Sequence, residues 1–227
     1  MAVKIHMIRM GLDQCYIIQD KGIIMVDGGA PGKINEFKKA MDKISMVPGD
    51  LQLLLLTHGH WDHIACASGI RELTGAKIAM HRLDRECLEK PLKFMPPGLN
   101  IWGVILEKAI NLILPFVHIP RATIDLVIDV EGLSLSDYGI PGRVIHTPGH
   151  SPGSVSVLLD TGEAFVGDMA MNKFPLRYGA NLPVFAEDLA GLKESWRNAA
   201  ESGSNNSISC TWEAISVRYH PEIAFMN

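Results

Sequence analysis

The feature that most limits how this chain can fold is Leu51-Gln52-Leu53-Leu54-Leu55-Leu56, a short and almost wholly apolar run. A strand sends alternate side chains to opposite faces, so a strand apolar at successive positions must be covered on both sides. A sheet with one wet face is thereby excluded for this element. The chain can supply the cover: its 227 residues are 47% hydrophobic and only 20% charged, which excludes a disordered class. The formal charge of −4, with no basic run, argues against a protein that lives on nucleic-acid phosphates. Cys15, Cys66, Cys87 and Cys210 lie far apart without a CxxC pair, so neither a disulfide framework nor a zinc ribbon is expected. Met1-Ala2-Val3-Lys4-Ile5-His6 has no apolar core of a signal peptide, and a cytoplasmic location is the expectation.

Other elements follow from period and punctuation. Val3 to Met10, Cys15 to Asp20 and Gly22 to Asp27 read as strands, the last ending in the turn Asp27-Gly28-Gly29-Ala30-Pro31-Gly32. Ile34, Phe37, Ala40, Met41 and Ile44 fall at helical spacing within Lys33 to Ile44. A helix is predicted from His63 to about Leu73, then a strand from Ala76 to Met80. The second half repeats the rhythm, with strands at Leu126 to Val130, Arg143 to His146, Ser154 to Leu159 and Ala164 to Val166. A helix follows from about Glu187 to Glu201. Two strand-rich halves, each with helices and no linker between them, predict one domain over 1–227 built from two sheets covered by helices. Leu99 to Val117 is the most apolar stretch, but Glu107, Lys108 and Pro115 break it, so no stable membrane insertion is expected. It reads as a helix serving as a lid or as a homodimer contact, with ordinary core or a membrane-surface element as alternatives.

The chemistry concentrates in Thr57-His58-Gly59-His60-Trp61-Asp62-His63, directly after the buried strand. A tight loop at a strand end can aim alternating imidazoles and a carboxylate into one cavity, a donor set suited to zinc, iron or manganese. Thr147-Pro148-Gly149-His150-Ser151-Pro152-Gly153-Ser154 adds a histidine between two strands, and Ala164-Phe165-Val166-Gly167-Asp168 ends a third strand on a carboxylate. Thr57 and Ser151 are candidates for steadying the imidazoles, whereas Cys66 reads as a helix or core residue.

Together these motifs resemble the metallo-β-lactamase superfamily from about Gly11 to Ser202. The resemblance implies an α/β fold of the four-layer αβ/βα sandwich type with a metal centre at one edge. It implies that His58, His60 and His150 hold a first metal, that Asp62 and His63 hold a second, and that Asp168 bridges them. Zinc is the implied metal, two ions per chain, with iron or manganese as alternatives. The implied reaction is hydrolysis of a thioester, lactone or related ester of a small-molecule substrate by a metal-bound hydroxide, with Asp62 orienting it and taking its proton. Asp168 points to the thioesterase, lactonase and phosphodiesterase branches rather than to penicillin hydrolysis. Arg177 and Tyr178 are candidate contacts for a substrate carboxylate or oxyanion. An iron-dependent persulfide dioxygenase and a catalytically impaired metal-binding protein are the alternative readings.

One element of the family pattern is missing: a histidine in a Pro-x-His-Gly-like turn near the C-terminus. After Ser202 the tail, 204–227, has no His-Gly pair. From Asn205, read one base later with one choice of synonymous codons, it becomes Thr-Ile-Ala-Tyr-Pro-Ala-His-Gly-Lys-Pro-Phe-Pro-Leu, as the family would have it. Three readings stand: a frameshift, replacement of the missing ligand by His220, or an incomplete second site. The gene's nucleotide sequence tests the first, because the shifted histidine requires one particular codon for Thr211 and any other codon removes the idea.

Overall fold

The apolar run at Leu51 lies inside a six-stranded sheet. The computed structural model describes residues 2–11, 13–171, 177–178, 182–202, 207–210 and 213–214, with backbone alone at 177–178, 207–210 and 213–214. The first sheet runs, side by side and in chain order, through β1 (Lys4–Arg9), β2 (Gln14–Gln19), β3 (Ile23–Val26), β4 (Leu51–Leu55), β5 (Lys77–His81) and β6 (Leu126–Ile128). β1 to β3 pair antiparallel, whereas β3 to β6 pair parallel. Parallel neighbours need long crossovers, and helices fill them. α1 (Ile34–Lys43) joins β3 to β4, and α2 (Trp61–Ile64) with α3 (Ala67–Thr74) joins β4 to β5. α4 (Arg85–Glu89) and α5 (Ile101–Ile113) lie between β5 and β6.

The second sheet contains β7 (Leu133–Ser134), β8 (Gly142–His146), β9 (Val155–Leu159) and β10 (Glu163–Phe165), all antiparallel. β11 (Arg177–Tyr178) and β12 (Leu182–Pro183) form a separate small ladder, and α6 (Leu189–Ser202) follows. The tail then adds β13 (Ser207–Cys210), parallel to β10, and β14 (Glu213–Ala214) at the sheet edge.

Side-chain alternation explains the layering. In β4, Leu53 and Leu55 face the second sheet with Tyr16, Ile18, Ile24 and Val26. Leu51, Leu54 and Leu56 face α1 and α3, against Phe37, Met41 and Ile70. Leu51 and Leu54 share a face because the register against β3 shifts there: Ile23 pairs with Leu51 and Ile24 with Leu53, leaving Gln52 over as a bulge. β9 and β10 do the same for the second sheet. Val155, Val157, Leu159 and Phe165 point inward, and Leu158, Ala164 and Val166 meet Leu192 and Ala199 of α6. Helix, sheet, sheet, helix is the predicted four-layer sandwich.

Two details differ from the sequence reading, and one agrees with it. The helix expected from His63 to Leu73 is two pieces, because Gly28 N–H donates to His63 O (2.6 Å) and Ala65 N–H donates to Gly29 O (3.1 Å). Those bonds divert the backbone toward the end of β3. The two-residue strands β7, β11, β12 and β14 are too short to carry a period, and β13 lies in a tail without one. Leu99 to Val117 does form a helix, capped where the Asn100 side chain accepts from Gly103 N–H at 2.7 Å. It leaves Ile101, Leu112 and Phe116 exposed, 83%, 76% and 87% respectively. Among the described residues no helix is long and apolar enough to cross a membrane.

The two sheets also meet through stacked imidazoles: His81 and His146 lie 4.1 Å apart, 8° from parallel. Burial first, and then the neighbouring His146, push the His81 pKa down to about 4. An unfolded histidine titrates near ~6.5, so between those values the unfolded chain holds a proton that the native chain refuses. Stability therefore falls as pH drops through that window. Replacing His81→Gln should make the urea midpoint decline less steeply between pH 6.5 and 4 than in the wild type. Identical declines would mean that His81 carries no such linkage.

Candidate metal centre

The C-terminal ends of β3 and β4 lie side by side, and the loops leaving them build the site. Asp27 ends β3 in the left-handed region (φ 63°), which aspartate tolerates better than most residues. Its carboxylate accepts from Thr57 N–H (2.8 Å) and the Thr57 hydroxyl (2.9 Å), and from His63 Nδ1 (3.0 Å). Thr57 Oγ1, having donated its proton to Asp27, accepts from His58 Nδ1 at 3.1 Å. His150 Nδ1 donates to Phe185 O at 2.9 Å. Each of these imidazoles thus has Nδ1 tied outward and Nε2 turned inward toward the other ligands.

What those nitrogens meet is a polar cavity without enough hydrogen bonds. His58 Nε2, His60 Nε2 and His63 Nε2 are buried without a hydrogen-bond partner among the described residues. His60 Nδ1 lies 2.9 Å from His150 Nε2. Asp168 reaches both sides: Oδ1 is 3.3 Å from His63 Nε2, and Oδ2 is 3.5 Å from His150 Nε2. Ligand atoms of His58, His60 and His150 all fall within 4.8 Å of one another, as do those of His58, His63 and Asp168 and those of Asp13, Asp62 and His63. Orphaned imidazole nitrogens beside carboxylates fit a divalent metal, which binds neutral imidazole and ionised carboxylate.

Electrostatics agree. Burial, reinforced by neighbouring imidazoles, holds the His58 and His60 pKa values well below the ordinary histidine range. Burial also lowers His150, against the pull of Asp168. Burial acts on His63 in the same direction, but Asp168, Asp27 and Asp13 together outweigh it and raise its pKa well above the usual value. Burial likewise lifts Asp62, and lifts Asp13 strongly with help from Asp62.

A second carboxylate, Asp84, clamps the two histidine loops together. It accepts from Gly59 N–H (2.8 Å), the Ser151 hydroxyl (2.6 Å) and Gly153 N–H (2.9 Å). Glycine is required at Gly153, where a Cβ would come within 2.5 Å of Asp84 Oδ1. Burial raises the Asp84 pKa, and these three donors oppose that rise.

The structure therefore brings together His58, His60, Asp62, His63, His150 and Asp168, from the stretches that the sequence had singled out. Thr57 meets His58 as expected, whereas the Ser151 hydroxyl bonds Asp84 and Ser154 rather than an imidazole. Cys66 is a core residue whose thiol donates to Ala30 O. Arg177 and Tyr178 form β11, but their side chains lie outside the described structure, and His220 lies outside the described residues altogether. Sequence reasoning missed Asp13, Asp27 and Asp84. For Asp27 a signal existed: an acid closing an apolar strand beside the strand that carries the histidines.

A sequence model described as the metallo-beta-lactamase superfamily matches residues 11–202. The chain belongs to that superfamily. Among similar proteins, one from Mycobacterium tuberculosis is 29% identical over 62% of this chain and 58% of its own length. The hydroxyacylglutathione hydrolase GloC of Haemophilus influenzae is 27% identical over 68% of this chain and 65% of its own. The chain thus matches less than two thirds of the length of either relative. Among solved structures, the BLEG-1 B3 metallo-beta-lactamase superposes with a TM-score of 0.67 over 92% of this chain and 91% of its own, at 21% identity, which bears on the fold alone.

Removing the Asp84 carboxylate would orphan two buried superfamily-loop amides and a hydroxyl. Asp84→Ala should therefore lose about 3 kcal/mol or more of unfolding free energy, measured with urea in a chelator so that metal does not contribute. A loss within experimental error would show that the two loops do not depend on this clamp.

Proposed function

We propose that the chain is a zinc-dependent hydrolase of thioesters, lactones or related esters. The observation that carries this reading is the two-sided reach of Asp168, one oxygen toward His63 and the other toward His150. Such a carboxylate suits two adjacent cations, and imidazole-rich sites suit zinc. A divalent cation held there would polarise a substrate oxygen and lower the pKa of a water it holds from about 16 toward 7.

The chain's own groups supply the rest. His58, His60 and His150 would hold the first ion, and Asp62 and His63 the second. Asp62 is partly buried, and burial raises its pKa, the direction that favours a carboxylate accepting a proton. The cleft beside these ligands is small, about 70 Å³, and partly open, with Trp61, Met95, Ile110, Met171 and Phe185 in its wall. Those apolar side chains favour an acyl or lactone portion beside the reacting end. Ile110 belongs to α5, so this helix is the wall segment we assign to a lid over the substrate. GloC, by name a hydroxyacylglutathione hydrolase, supports the thioester part of this reading.

Zinc-loaded protein should hydrolyse at least one of an S-acyl thioester series or an acyl-lactone series, followed by thiol release or acid release. Asp62→Asn should lower kcat by about 10²–10⁴-fold, the usual contribution of a positioned proton acceptor. Zinc at 100 times its dissociation constant should stabilise the fold by about 2.7 kcal/mol, and chelation should reverse that gain. Metal-loaded protein inert toward both series would overturn the substrate assignment.

A further inference from the structure

Beside the cluster lies a carboxylate for which the fold gives no other purpose. Asp13 ends the turn between β1 and β2, and that turn is seated on the loop after β3. Met10 N–H donates to Asp13 O (3.2 Å), and Ala30 N–H donates to Met10 O (2.8 Å). Gly11 makes the approach possible: its φ is +124°, and a Cβ there would stand 2.5 Å from that of Ala30. Asp13 is consequently held at the same sheet edge as His63 rather than left in solvent.

Its surroundings are unusual for a turn aspartate. Asp13 is 2% exposed, and its Oδ2 is buried without a hydrogen-bond partner among the described residues. Oδ1 lies 3.8 Å from His63 Nε2, the one ion pair Asp13 makes among those residues. His63 Nε2, fully buried, also lacks a hydrogen-bond partner there. A carboxylate oxygen of Asp13, one of Asp62 and a ring nitrogen of His63 lie within 4.8 Å of one another. Burying carboxylates side by side is costly unless a cation or donors face them. A ring nitrogen of His63 completes the set.

We infer that Asp13 is a direct ligand of the second cation, closing with Asp62 and His63 a position to which the tail brings no His-Gly turn. The inference rests on the metal-centre reading above. Three oxygen and nitrogen donors, one from the β1–β2 turn and two from α2, then hold that ion, with Asp168 facing it from the first site. A mixed carboxylate–imidazole set of this kind accepts zinc and also harder divalent ions such as manganese.

The test counts metal rather than turnover. Full-length wild type, Asp13→Asn and His220→Ala are loaded with excess zinc, freed of unbound ion, and assayed for zinc per chain. Wild type and His220→Ala should each hold about two equivalents, and Asp13→Asn about one. Chelator competition should show the second ion of Asp13→Asn weakened by at least about 100-fold, the upper end of what loss of an outer hydrogen-bonding partner costs. Two tight ions in Asp13→Asn, a single ion in wild type, or loss of the second ion in His220→Ala would each overturn the assignment. Wild type that takes up no zinc would instead remove the metal centre itself. An Asp13→Cys variant loaded with cobalt reads coordination directly and keeps a ligand at the position. It should gain a thiolate-to-cobalt charge-transfer band absent from wild type, and a folded variant without that band rejects Asp13 as a ligand.

Discussion

Four buried imidazoles share one cavity with buried carboxylates, and everything else at the site answers to the cost of that arrangement. In a low-dielectric interior, an ionisable group without a partner shifts its protonation or destabilises the fold. The chain meets the constraint by splitting each imidazole in two. An outer nitrogen is bound to protein at His58, His63 and His150, by a threonine hydroxyl, an aspartate and a backbone carbonyl respectively. Among the described residues the inner nitrogens of His58 and His63 then have a fixed direction and no hydrogen-bond partner, which is the electrostatic condition of a cation cradle.

The sheets make that condition reachable. Parallel strands β3 and β4 end at the same edge, so Asp27 and the His58 loop start a few ångströms apart without any long-range search. β9 enters from the second sheet, where Val155 N–H donates to Thr57 O at 2.8 Å, and it carries the His150 loop with it. The Leu53 and Leu55 face of β4 packs against Val155 and Val157, so the core that glues the sheets also sets the distance between the two ligand-bearing edges.

Much of this could be read before any coordinates. The leucine run required a covered strand, and the dense imidazole string after it required a reason for such density. Their spacing found the ligand-bearing loops because both sit at ends of strongly apolar strands. Asp13, Asp27 and Asp84 escaped because each stands in a turn, where aspartate is common for purely backbone reasons. Only the fold shows that their carboxylates turn inward. The break between α2 and α3 escaped for a similar reason: the local pattern is helical, and tertiary bonds to Gly28 and Gly29 override it. Two-residue strands such as β7 leave no period to detect.

The Asp84 clamp joins a loop from the first half of the sequence to one from the second. Each half alone would therefore present an uncovered sheet face and an unmatched set of loop amides. It would also bring only part of the ligand set. A chain cut between the two sheets is consequently not a pair of smaller working proteins but two fragments that need each other to become native.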